Sequence, residues 1–108
     1  MRTLNVIYNK TNHFGLEKDY EFIRHAFSRA GYTIQSVDPH EPPKMADVNI
    51  HLEIPIYANV PWATVNILLM NPEYYVPEAF NGYLHGFDAV ILRDKATYEQ
   101  LVGVIGPS

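Results

Sequence analysis

The sequence contains no cysteine. Disulfides, thiolate metal centres and thiol nucleophiles are therefore excluded, and the redox compartment cannot be read from cysteine usage. Basic side chains are scarce: 8 Lys and Arg stand against 12 Asp and Glu, for a formal charge of −4. No Lys or Arg occurs between Lys44 and Arg93. A nucleic-acid partner is not expected, because affinity for phosphate backbones comes largely from clustered basic residues. Long apolar runs are missing too, and none approaches the ~20 residues of a membrane span. The start, MRTLNVIYNK, has a strand-like pattern where a secretory signal would have its apolar stretch. A soluble, cytoplasmic protein without a membrane span is the expectation. Neither G-x-G-x-x-G nor G-x-x-x-x-G-K-[ST] is present, so the dinucleotide and phosphate-loop fingerprints are absent. The 5 histidines include no H-x-x-x-H or H-E-x-x-H spacing, and neither a metal nor another cofactor is expected.

What the chain does have is 108 residues, 47% of them hydrophobic, enough for one domain spanning 1–108 with one ordinary core. Leu4 to Tyr8 is a β-branched and aromatic run that reads as a buried strand. From Leu16 the apolar period lengthens: Leu16, Tyr20, Ile23, Phe27 and Ala30 share one helical face. Acids at the start of this helix, Arg29 near its end and Gly31 just beyond it match the helix dipole and a glycine stop. Further strands are expected over 32–37, 47–54, 64–70 and 88–92, with short helices over 77–85 and 96–102. Pro42 and Pro43 favour an extended segment between the second and third strands.

Alternating strands and helices with buried-looking strands predict an α/β, Rossmann-like or flavodoxin-like domain with a mainly parallel five-stranded sheet. The Pro-rich segment of about eight residues can reach roughly 26 Å when extended. That carries the chain to the far side of the first strand, so the expected order is 2-1-3-4-5 rather than a hairpin. A site then falls at the carboxyl ends of strands one and three, where connections leave in opposite directions.

The residues placed at that edge include the 9–15 loop, His51, Glu53, Asn71, Glu73 and Arg93. Gly15 either opens an anion-binding helix start or only lets the chain turn tightly. Alternation puts His51 and Glu53 on one strand face, as a general base beside its orienting carboxylate or as a buried pair tying the strand to a loop. In Asn71-Pro72-Glu73-Tyr74-Tyr75, Glu73 can take hydrogen bonds from a hydroxylated ligand that stacks on Tyr74 or Tyr75. The same residues also suit a helix-initiating turn.

Taken in order, Asn12-His13-Phe14-Gly15-Leu16 with Asp19, Asp47-Val48-Asn49-Ile50-His51-Leu52-Glu53, Asn66 to Tyr74, and Phe87 to Thr97 resemble the amino-terminal half of GT-B-type glycosyltransferases. The resemblance covers residues 4 to about 101. It implies sugar transfer across a cleft between two Rossmann-like halves, the amino-terminal one shaping the acceptor side, without a chelated metal. By position, Asn12, His13 and Gly15 would lie near the donor phosphates, while Glu53, Asn71, Glu73 and Tyr74 face the acceptor. Arg93-Asp94 stands where the family often has Lys-Thr. The implied partners are a sugar acceptor and a nucleotide-sugar donor held by a second domain or chain. On this expectation, His51 and Glu53 are the candidate catalytic or positioning groups, and Asn12, His13, Gly15, Asn71, Glu73, Tyr74 and Arg93 bind substrate. The resemblance further implies a chain that is not catalytically complete alone. The alternative is a non-catalytic Rossmann-like module that binds a ligand or protein, with the Tyr-rich 54–62 and 74–87 segments as a homodimer surface.

Overall fold

The computed structural model describes residues 2–11, 16–71, 86–93 and 97–105. Five strands, β1 (Thr3–Ile7), β2 (Thr33–Val37), β3 (Ala46–Leu52), β4 (Ala63–Met70) and β5 (Ala89–Leu92), form one sheet in the order β2-β1-β3-β4-β5. Every pairing is parallel. This is the Rossmann-like α/β architecture and the strand order expected. Helix α1 (Leu16–Arg29) connects β1 to β2, and α2 (Thr97–Ile105) follows β5. Neither is long and apolar enough to cross a membrane, nor is any other helix among the described residues. The helix expected over 77–85 lies outside the described residues.

The apolar period of α1 fixes how it packs. Leu16, Ile23 and Phe27 are buried against Leu4, Val6, Val48, Ile50, Ile67 and Leu69, and Leu101 and Ile105 of α2 complete the same core. The helix ends in a glycine cap. Gly31 has a φ of 96°, its N–H donates to Ser28 O at 3.1 Å, and Tyr32 N–H reaches back to Phe27 O at 3.0 Å. The rings of Phe27 and Tyr32 meet edge to face at 5.7 Å. This is the paired hydrogen-bond and apolar contact pattern of a Schellman motif, and it turns the chain directly into β2.

The opposite sheet face is lined by amides. Register sets Gln35, Asn5, Asn49 and Asn66 side by side across β2, β1, β3 and β4. Gln35 Nε2 donates to Asn5 Oδ1 at 3.1 Å, Asn5 Nδ2 to Asn49 Oδ1 at 3.0 Å, and Asn49 Nδ2 to Asn66 Oδ1 at 3.1 Å. Backbone carbonyls of covering segments take the second amide protons: Lys44 O from Asn5, Asn59 O from Asn49 and Val60 O from Asn66. Asn5 and Asn49 are wholly buried. Buried amides are tolerable only because they satisfy one another and the crossing backbone.

Apart from one-residue shifts at several ends, three elements differ from expectation: α2 runs to Ile105 rather than 102, β3 stops early, and 57–62 is helical. Strand β3 ends at Leu52 rather than Ile54, because Glu53 adopts a φ of 70° that an extended strand cannot continue. Ile54, the expected last residue of that strand, is 63% exposed. Residues 57–62, read as loop, form a 3-10 helix (Tyr57–Trp62) containing Pro61. Its carbonyls at Asn59 and Val60 are the ones that close the amide row.

Candidate functional site

The parallel strands deliver their carboxyl ends to one edge, and there Glu53, Asn71 and Arg93 come together. One Glu53 carboxylate oxygen accepts the Asn71 backbone N–H at 3.3 Å, and the other pairs with Arg93 Nη2. Asp19 of α1 joins from the far side, with Oδ2 at 2.9 Å from the same Arg93 nitrogen. That ion pair is close in distance but not aligned as a hydrogen bond. Backbone contacts hold Glu53 and Arg93 in place: Glu53 N–H donates to Leu69 O at 2.8 Å and Arg93 N–H to Met70 O at 2.9 Å. The left-handed backbone at Glu53 belongs to a side chain with a β-carbon, a conformation that persists only when its surroundings over-determine it.

The electrostatics of this cluster are acidic. One guanidinium faces two carboxylates, so the trio has a formal charge of −1. Burial pushes the Asp19 carboxyl up, Arg93 pulls it back down, and Glu53 adds to the rise. The side chains of Arg93, Glu53 and Asp19 retain some solvent access at 24%, 17% and 22%.

His51 is placed differently. Its ring is wholly buried, Nδ1 accepts the Ile56 backbone N–H at 3.1 Å, and Nε2 lies 3.0 Å from Asn66 Oδ1. An acceptor at Nδ1 requires the proton on Nε2, which therefore donates to Asn66, itself fixed by Asn49. Burial pulls the ring down to about 4, against a smaller upward effect of Asn66. At neutral pH the ring is an uncharged crosslink between β3, β4 and the 54–56 turn, and the Phe87 ring packs on it at 4.6 Å. The expected pairing of His51 with Glu53 is not observed. The turn at Glu53 redirects its carboxylate to Asn71 and Arg93, and both imidazole nitrogens are engaged elsewhere.

On the neighbouring strand ends, Asp38 accepts the backbone N–H groups of Lys10 at 3.0 Å and His40 at 2.9 Å. These bonds hold its carboxyl below the usual range. Between the ends of β1 and β3 lies a cavity of about 80 Å³ whose lining includes Ile7, Leu16, Pro39, Leu52 and Ile56, together with the polar residues Tyr8, Asn9 and Glu53.

Asn12, His13, Gly15, Glu73 and Tyr74 lie outside the described residues. Among the described residues no group of three His, Cys, Asp or Glu could hold a metal ion. Residue-by-residue reading gives no functional role to Asn66 or Asp38, takes Asn9 only as part of the edge loop, and takes Asp19 only as a helix-start acid. For Asp19 a signal existed, as a member of the helix-start motif, but its meeting with Arg93 depends on α1 lying over the edge where β5 ends. No protein-family model matches the chain, and a search of curated proteins finds no match.

Proposed function

We propose that this chain is the acceptor-side domain of a glycosyltransferase of the GT-B kind, binding a hydroxylated sugar at the carboxyl edge of the sheet. The observation that carries the reading is the convergence of Glu53, Asn71 and Arg93 at the ends of β3, β4 and β5. The resemblance puts Glu53 and Asn71 on the acceptor side, and Arg93, where this chain departs from the family pattern, is among the residues expected to bind substrate. A carboxylate beside a guanidinium offers acceptors and donors in fixed directions, the complement of neighbouring sugar hydroxyls. The acidic balance of the Asp19, Glu53 and Arg93 cluster suits a neutral hydroxylated acceptor better than a nucleotide diphosphate, whose phosphates two carboxylates would repel. Recognition of the donor then falls to a second domain or chain.

Within this reading Glu53 positions the acceptor, and His51 holds the turn that carries Glu53 and Ile56. A buried imidazole with both nitrogens engaged has no lone pair to offer a sugar hydroxyl.

Saturation-transfer NMR on the whole chain, with simple mono- and disaccharides at millimolar concentration, tests the proposal. Transfer to sugar protons that is lost in Glu53→Gln and Arg93→Met, with the fold intact, is the expected result. No transfer to any saccharide from the folded chain would overturn it.

A further inference from the structure

The cavity beside Glu53 bears on which sugar is bound. At about 80 Å³ it has room for roughly two or three waters at ~30 Å³ each, far below the ~300–1,000 Å³ of a pocket enclosing a whole ligand. A pyranose ring cannot enter. A substituent of roughly three or four non-hydrogen atoms can, with the ring left outside over the Glu53 and Arg93 edge.

The lining has a particular chemistry. Ile7 and Leu52 are buried and Ile56 half-buried, giving apolar walls, while Ile54 stands exposed at the same site. Asn9 and Glu53 add polar side chains. Asn9 Oδ1 is occupied, accepting Thr11 N–H at 3.0 Å and the Thr11 hydroxyl at 2.7 Å. This fixes the orientation of the amide and leaves its Nδ2 donors without a hydrogen bond among the described residues. Glu53 accepts from Asn71 and Arg93, which uses about half of a carboxylate's roughly four acceptor positions. An amide with unused donors, one carboxylate with acceptor capacity left and an apolar wall match the three parts of a secondary acetamide: carbonyl, N–H and methyl.

We infer that this cavity is a subsite for the acetamido group of an N-acetylated amino sugar. The methyl lies against Ile7, Leu52 and Ile56, the carbonyl accepts from Asn9 Nδ2, and the N–H donates to Glu53. This assignment rests on the sugar-binding reading and narrows its substrate class. A neutral acetamide also suits the acidic surroundings, whereas a carboxylate or phosphate substituent would meet Glu53 and Asp19 with like charge.

Methyl-labelled protein of the full chain, titrated separately with N-acetylglucosamine, glucose and N-methylacetamide, provides the test. N-acetylglucosamine is expected to shift the methyl signals of Ile7, Leu52, Ile54 and Ile56 and to bind about tenfold tighter than glucose, the gain from burying one methyl and making an added hydrogen bond. Asn9→Asp keeps the acceptor used by Thr11 and removes the donor, so the preference should fall to roughly fourfold or less, the part carried by the methyl, while glucose binding persists. Equal affinity for the two sugars in the unaltered chain would overturn the acetamido subsite and leave the sugar-binding reading standing. Shifts from N-methylacetamide with no response to either sugar would show that the acetamide comes from another source. That outcome would overturn both the amino-sugar assignment and the sugar reading, as would no binding of any probe.

Discussion

The backbone N–H of Ile56 donates to Nδ1 of His51 at 3.1 Å, so a proton cannot be added to the ring without breaking the bond that holds the 54–56 turn. The ring ionises near 4 in the folded chain, against 6.5 ordinarily. Between those values the unfolded state binds the extra proton and the folded state does not, so stability falls as pH drops from 6.5 towards 4 and levels off below. The loss expected from this residue is about 3 kcal/mol. Urea unfolding between pH 7 and pH 4 should show it, and His51→Gln should flatten the slope in that window. A parent slope unchanged by the substitution would show that the ring is not the group responsible.

Asn49 joins three partners across the sheet: it accepts from Asn5 and donates to Asn59 O and Asn66 Oδ1. Asn49→Ala should cost roughly 2–4 kcal/mol, because it strands buried groups that water cannot reach. Asn49→Asp should be worse at neutral pH, since a carboxylate would face two acceptors where the amide donated. Its deficit relative to the parent should shrink as pH falls and the new carboxyl takes a proton. Chemical denaturation of both variants at pH 7 and pH 5 separates these outcomes. Equal costs for Ala and Asp at both pH values would refute the directional amide row.

Strand order was legible because apolar runs, helix period and the reach of the Pro42-Pro43 segment act locally. Gly31 likewise announced the end of α1, where its positive φ is needed. The turn at Glu53 left no such trace. A glutamate usually continues a strand, and its φ of 70° is imposed by bonds to Leu69, Asn71 and Arg93, residues 16 to 40 positions away. The amide row was hidden for a related reason. Asn5, Gln35, Asn49 and Asn66 are unremarkable singly and line up only once strand order and register are known. The edge position of Glu53, Asn71 and Arg93 followed from the pattern of strand ends, whereas the arrival of Asp19 depended on how α1 packs.

Gly86 should not tolerate alanine. Its φ is 85°, and a β-carbon there would lie 2.7 Å from Val60 Cγ1 of the 3-10 helix. The left-handed backbone costs roughly 1–2 kcal/mol for a residue with a β-carbon, and the overlap adds about 1–3 kcal/mol. Val60→Ala in the same chain should recover the second part and not the first. A double-mutant cycle by thermal or urea unfolding measures the coupling. Additive single effects would mean that the two residues do not meet.

Arg93 ties the stability of the edge to the saccharide binding proposed for it. Arg93→Met leaves Asp19 and Glu53 facing each other without a cation, in positions only about one fifth exposed. A loss of roughly 1–2 kcal/mol at pH 7 is expected, smaller than for a fully buried pair because solvent still screens the site. Burial already raises the Asp19 carboxyl, and Arg93 is the group that offsets the rise; without it the folded-state value climbs further. A carboxyl raised on folding contributes stability that is present at low pH and lost as pH rises through the folded value. The deficit of Arg93→Met should therefore grow from pH 4 to pH 7. Adding Asp19→Asn should remove that pH dependence and restore part of the stability. It should not restore saccharide binding, because the guanidinium donors are still missing. Recovery of saccharide binding in the double variant would place recognition outside Arg93, and a deficit independent of pH would show that Arg93 does not act through Asp19.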